Sequence, residues 1–313
     1  MNKLLKLTLA GLLLAAPAVQ AQIEINENLR VTGFLDMSAT DIDNEATGSK
    51  TSSFNLDQAE IDFLIDFDQI GAQIDLNYLG DNVDEEFDLE QAFLTYDVGD
   101  GLSIDAGKYR SYLGFESWEP TGLYQYSTAY DLIDLRPGHS NGVRVNYGDD
   151  FVNFGVSLVD SLYGPDGSIG DSSYGAETKV AIFPVEGLTL FLGYGKDGME
   201  IGTDRDVLNL WASYEVGNMT YAVEWSNYDF GINMEGSQWL LMANMGITDN
   251  FGITARVSED EQDWAGGETA TKFTISPGWS INDNLGILFE ASQTDYGTEG
   301  DATSFAIESI FTF

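Results

Sequence analysis

From Leu29 onward, apolar side chains recur at every second position, the period of a strand with one apolar and one polar face. Ala59, Ile61, Phe63, Ile65 and Phe67 alternate with Glu60, Asp62, Leu64, Asp66 and Asp68. Ala72, Ile74, Leu76 and Tyr78 follow against Gln73, Asp75, Asn77 and Leu79. The pattern returns at Val152–Leu158, Leu188–Tyr194, Met219–Trp225 and Leu285–Ala291. Nowhere after the first residues is an i, i+3, i+4 helical period sustained.

The connections alternate in length. Tight turns rich in Gly, Asn and Asp stand at Gln69-Ile70-Gly71, Gly99-Asp100-Gly101, Gly217-Asn218 and Asn282-Asp283-Asn284. These residue types tolerate the positive φ of short hairpins. Between them lie longer polar connections, the longest near 111–140. Short, long, short, long is the connectivity of a transmembrane barrel. The pattern predicts an all-β, antiparallel up-and-down transmembrane barrel of about 16 strands, within about 14 to 18. Aromatics gather near strand ends, where headgroup girdles belong: Tyr96, Tyr147, Trp279 and Phe313 at the turn side, and Tyr78, Tyr194, Trp225 and Trp239 at the loop side. On the faces assigned outward, the exceptional charges Asp57, Asp88 and Lys108 fall toward the loops.

Residues 1–21 have a basic head (Lys3, Lys6), an apolar stretch from Leu7 to Ala16, and small residues at Val19 and Ala21. This reads as a cleaved signal peptide ahead of one domain, 22–313. Phe305, Ile307, Phe311 and Phe313 alternate to a terminal phenylalanine, resembling the terminal strand of bacterial outer-membrane proteins. That signature implies delivery to the barrel assembly machinery through Phe313, and a place among outer-membrane lipid and lipopolysaccharide.

Composition narrows the chemistry. The chain has 13 Lys+Arg against 52 Asp+Glu, a net charge of −39, and loses only Lys3 and Lys6 with the leader, giving 11 − 52 = −41. Nucleic acid is not an expected partner, because phosphate binding needs a basic footprint. With no cysteine and one histidine, thiol catalysis, disulfides and multi-His metal centres are excluded. Asp41, Asp43 and Glu45, and again Asp81, Asp84, Glu85 and Glu86, imitate the spacing of a calcium loop. Ala46 stands where a Gly is wanted and Ser52 where a bidentate Glu would be, so these read as solvated loops. No metal and no cofactor is expected. His139 is the one candidate base, with Ser140, Asp131 and Asp134 near it in sequence, and a lone His in a Gly/Pro loop reads as structural, so no enzyme is expected.

About 16 strands leave an aqueous lumen. Its expected inward acids are Glu60, Asp62, Asp66, Asp75, Asp105, Glu177, Glu224, Glu290 and Glu308. The inward bases are Arg30, Arg144, Lys179, Arg256 and Lys272. Such an excess of carboxylates would favour cations. The segment 108–144 differs: Lys108, Arg110, Arg136 and Arg144 balance Glu116, Glu119, Asp131 and Asp134, so its net charge is zero. It also holds Trp118, Tyr124, Tyr126, Tyr130 and His139. Long connections with their own aromatic content are usually functional or packed. Residues 112–140 are therefore expected either to fold into the lumen and narrow it, with basic residues facing wall carboxylates, or to pack over the barrel mouth.

Ala106-Gly107-Lys108, Gly114, Glu116, Ser127, Pro137, His139 and Gly142-Val143-Arg144 resemble the motif string of the OmpL-like beta-barrel porins. The resemblance implies a passive outer-membrane channel for small hydrophilic solutes and ions. A barrel acting as adhesin, receptor or structural protein is the competing class. No outward face is visibly less lipid-like than the rest, so assembly into a homo-oligomer stays open.

Overall fold

The computed structural model describes residues 22–80, 87–164, 174–197, 205–231, 234–263 and 267–313. The expected signal peptide and the acidic group 81–86 lie outside them. Sixteen antiparallel strands run from β2 (Leu29–Asn44) to β17 (Asp301–Thr312), and each pairs with its sequence neighbour. The ring closes where β17 pairs with β2, from Thr312↔Phe34 to Ala302↔Asn44. Closure leaves the ring without an edge strand, as the hydrocarbon of a bilayer requires.

One short strand, β1 (Ile23–Asn26), was not foreshadowed by the sequence pattern. It folds back on β2 through a turn in which Asn28 N donates to Asn26 Oδ1 at 2.9 Å, pairing Ile23 with Val31. It occupies the stretch of the β2 edge that β17 leaves bare, because β17 ends where Phe313 and Gly33 exchange backbone hydrogen bonds of 3.0 Å. The first and last described strands thus follow one another along the same edge of β2 at the tight-turn rim. The first such turn is Asp68-Gln69, between β3 (Ser49–Phe67) and β4 (Ile70–Tyr78), one residue earlier than expected, with Asp68 at φ 53°.

The outward face is apolar all round. Ile61, Leu76, Leu94, Leu192, Val223, Leu241, Phe273 and Ile307 are exposed, while their sequence neighbours Glu60, Asp75, Glu224, Leu240, Lys272 and Glu308 are buried. Val223, in the middle of β12 (Met219–Asp229), lies beside Ala212 and Leu241 on the adjacent strands. Arg placed there should destabilise the barrel by about 2–4 kcal/mol in equilibrium unfolding from phospholipid vesicles. A loss within about 0.5 kcal/mol would remove this position from the hydrocarbon.

Two of the three charges assigned outward are corrected by bulges. The register of β2 against β3 slips between Asp36↔Gln58 and Met37↔Leu56, leaving Asp57 as the extra residue. A second slip, between Asp75↔Gln91 and Leu76↔Leu89, makes Glu90 the extra residue of β5 (Phe87–Gly99) and pairs Asp88 with buried Asn77. A bulge turns the residues beyond it to the opposite face, and a period-2 reading cannot see it. The third, Lys108, is only 13% exposed and its Nζ stands 3.5 Å from Asp88 Oδ1.

Candidate functional site

The connection between β6 (Leu102–Arg110) and β7 (His139–Gly148) lies against the inner wall and is tied to it from many sides. Gly114 N reaches Asn209 at 3.1 Å, and Phe115 N reaches Glu224 at 2.9 Å. Ser127 donates to Glu290 through both N (2.9 Å) and Oγ (2.6 Å). Leu132 N and Ile133 N share Asp260 Oδ2 at 3.2 and 3.1 Å. Ser258 Oγ donates to Ala129 O at 2.5 Å, and Gln238 Nε2 to Ile133 O at 2.5 Å. On the far side Tyr126 OH meets Ser38 Oγ at 3.2 Å. Backbone groups that leave regular structure must find partners, and here the wall side chains supply them.

Apolar packing reinforces the tie. Ala129 and Tyr130 bury against inward Ala222, Leu240 and Met242, with Phe115 and Tyr124 alongside. Leu113 buries against Ala181, Phe191 and Val207 beside Trp211, whose ring stacks on Phe191 at 4.8 Å. Gly114, at φ 107°, has no room for a Cβ, which would sit 2.7 Å from Arg136 Cδ. Burial raises the Tyr126 phenol to about 12, keeping the hydroxyl protonated. It also holds Glu119 above the ordinary carboxylate range, against the pull of Arg110.

The charges are sorted differently from the expectation of loop bases facing wall acids. Two wall bases instead face loop acids. Arg256 of β14 (Phe251–Gln262) pairs with Glu116 and donates to Ser127 O and Thr128 O, both at 2.8 Å. Lys272 of β15 (Thr269–Asn282) meets Asp131 at 2.8 Å, and Thr294 also donates to that carboxylate. Arg136 stays within the loop, paired with Asp134 at 2.5 Å, donating to Glu116 O at 2.7 Å and covering the Trp118 ring. The bases on the strands flanking the loop do follow the expected polarity: Lys108 and Arg110 of β6 reach Asp88 and Glu90 of β5 at 3.5 and 3.0 Å, Arg144 of β7 reaches Asp105, and Arg110 also pairs with loop Glu119. The wall bases on this side are Arg256 of β14 and Lys272 of β15, and the loop turns Glu116 and Asp131 toward them while its backbone N–H groups meet the wall acids Glu224, Asp260 and Glu290.

Other predicted residues fall as follows. Arg144 pairs with Asp105 at 2.7 Å and lies over the Tyr109 ring at 4.3 Å. Glu177 accepts from Ser111 Oγ at 2.7 Å, and Lys179 stands 4.4 Å over Tyr112. Glu308 is buried opposite Ser38. Arg30 and Asp66 sit at the tight-turn rim, where Arg30 reaches Gln22 at 3.2 Å and Asp66 is exposed. The residues around His139 do not assemble into a nucleophile and base. Arg110 Nε donates to His139 Nε2 at 3.2 Å, and Ser140 Oγ donates to Ser161 O at 2.7 Å. Asp41 and Asp43 of the first acidic group lie on β2, where Asp41 accepts from Ser52 at 2.7 Å and Asp43 pairs with Lys50.

Several partners of the loop went unread in the sequence: Glu90, Asn209, Gln238, Asp260, Leu240 and Met242. The run Trp239-Leu240-Leu241-Met242 breaks the polar alternation of β13 (Glu235–Thr248), and that break was the available signal for an apolar inner patch.

Comparison with known proteins agrees with this architecture. A family model described as "Putative beta-barrel porin-2, OmpL-like" matches residues 28–313. No curated protein matches the sequence. Among solved structures, OmpF of Salmonella typhi in complex with daunomycin aligns at TM-score 0.70 and 13% identity, over 94% of this chain and 100% of that one. An anion-selective porin from Comamonas acidovorans aligns at 0.68 and 13%, over 91% and 99%. The outer membrane channel DcaP of Acinetobacter baumannii aligns at 0.66 and 13%, over 94% and 100%. At such identities the likeness is one of fold.

Proposed function

The chain belongs to the OmpL-like beta-barrel porin-2 family of the outer membrane, and from that premise we propose that it is a passive, water-filled channel for small hydrophilic solutes and ions, narrowed by residues 112–138 and selective for cations. The observation that carries this reading is the long connection itself. It is hydrogen-bonded to inward side chains of β9 (Gly175–Val185) and of β11 (Arg205–Val216) through β16 (Leu285–Asp295), with Ser38 of β2 on the far side, so it partitions a cross-section that a barrel of this strand number otherwise leaves open. Its pairing with Arg256 and Lys272 spends two of the wall's few bases on loop acids. Glu60 and Asp62 of β3 and Asp75 of β4 have no ion pair among the described residues, and a carboxylate-rich passage concentrates cations and repels anions.

No catalytic step belongs to this reading. The lone pair of His139 Nε2 is taken by Arg110 and the Ser140 proton by a carbonyl oxygen, so neither is poised for proton or acyl transfer. The test is a planar bilayer recording of the purified protein under a KCl gradient. Stable open steps whose reversal potential lies on the K+ side are expected. A reversal potential on the Cl− side overturns the selectivity, and folded protein that never conducts overturns the channel.

A further inference from the structure

Three inward carboxylates on two neighbouring strands stand together, with an amide opposite one of them, and no Lys or Arg among the described residues pairs with them. In the β3–β4 register Asp62 faces Asp75 directly, and Glu60 faces Asn77 one inward pair along. Glu60 is 4%, Asp75 2% and Asn77 1% exposed. Each of the four keeps one buried oxygen without a hydrogen-bond partner in the protein: Glu60 Oε2, Asp62 Oδ1, Asp75 Oδ1 and Asn77 Oδ1. Glu60, Asp62 and Asp75 each bring a carboxylate oxygen to within 4.8 Å of the others.

The neighbouring acids are provided for, and these are not. Glu90 and Glu119 share Arg110, and Glu90 also accepts from Asn77 Nδ2 at 3.0 Å. Asp75 Oδ2 accepts from Gln73 at 2.8 Å and Gln91 at 2.6 Å, which are neutral donors and leave the charge in place. None of Glu60, Asp62 and Asp75 has an ion pair among the described residues. Buried like charges so close need a counter-charge or protons, and buried oxygens without partners in a native protein call for an explanation.

We propose that Glu60, Asp62 and Asp75, with Asn77 beside them, form a binding site on the inner wall for one hard divalent cation, calcium in preference to magnesium. All ligands offered are oxygens, which suits hard cations, and three carboxylates match a divalent charge better than a monovalent one. Calcium–oxygen distances of about 2.4 Å put opposed ligands about twice that apart, and the three carboxylate oxygens lie within that span of one another. Magnesium demands shorter, near-octahedral bonds that a group fixed by two strands does not offer. The expectation that the chain holds no metal site rested on its acidic loops. It passed over this place because Glu60-x-Asp62 and Asp75-x-Asn77 sit on different strands.

The site goes beyond the channel reading and is read out without a bilayer. The full chain, folded in detergent and stripped with a chelator, is titrated with CaCl2 and with MgCl2 by calorimetry at fixed ionic strength. One saturable calcium site per chain is expected, with weaker magnesium binding. Glu60→Gln and Asp75→Asn should each weaken calcium by about tenfold or more, while Asp41→Asn, at the loop end of β2, should leave the isotherm unchanged. Heat-shifted gel migration confirms that each variant is folded, and Asp62→Asn replaces either that is not. No saturable heat from folded protein overturns the site, as does unchanged calcium binding in the folded variants. Magnesium binding equal to calcium overturns the stated preference. A barrel that binds calcium and does not conduct would overturn the channel and leave the cation site standing.

Discussion

Deleting residues 118–134 should raise single-channel conductance several-fold and leave the barrel assembled. The deletion removes Glu119, Tyr124, Tyr126, Ser127, Ala129, Tyr130, Asp131 and Asp134, the part of the loop that spans from Gln58 and Ser38 to Asp260 and Thr294. The ring does not depend on them. β6 and β7 pair continuously from Leu102↔Tyr147 to Arg110↔His139, so the shortened connection still joins two strands already in register. Conductance follows the narrowest cross-section, and without this segment the limit becomes the wall of a barrel of this strand number, which encloses water. Cation preference should weaken in the same variant, because ions then pass farther from the β3 to β5 acids and bulk screening takes over within about 8–10 Å at ordinary salt. Conductance within error of wild type, from protein shown folded by heat-shifted migration, would mean that the segment does not set the passage.

The barrel was legible in the sequence because its evidence repeats at every strand. Each hairpin carries its own alternation and its own Gly, Asn or Asp turn, so an error at one place, such as the turn at Asp68-Gln69, leaves the rest standing. What escaped is non-periodic. Asp57 and Glu90 are bulged residues, and a single inserted residue reverses the face of everything beyond it without altering composition. Half of the candidate site was also legible. The zero net charge and aromatic content of 108–144 marked the segment, and Glu116, Asp131, Arg256 and Lys272 were all named as site residues. Their pairing was not readable, since Arg256 and Glu116 are 140 positions apart and only barrel closure brings them together. The sequence shows which side chains face inward, while the loop's path across the lumen decides which of them meet.

Truncating Arg256 is the second change with a large expected effect, because its guanidinium joins two separate parts of the loop. It pairs with the Glu116 carboxylate, and it donates to Ser127 O and Thr128 O. The side chains are 0% and 3% exposed, so neither partner can fall back on bulk water. Glu116 itself organises the loop from within, accepting from Gln125 Nε2 and Ala129 N, both at 2.7 Å. In Arg256→Ala the carboxylate keeps these neutral donors and loses its counter-charge, a change that typically costs about 3–5 kcal/mol. Loop docking is weaker than the barrel, whose strand pairing is unaltered, so the loss should appear as detachment of the loop and not as unfolding. Chymotrypsin should then nick the chain at Tyr124, Tyr126 or Tyr130, sites that docking shields in the wild type, and recordings should show frequent conductance fluctuations. The double variant Arg256→Met with Glu116→Met separates charge from packing. Removing both partners abolishes the uncompensated carboxylate, so the pair should be nicked more slowly than Arg256→Ala alone. Equal or faster nicking of the double variant would show that the guanidinium acts through its bonds to Ser127 O and Thr128 O, with Glu116 a minor partner.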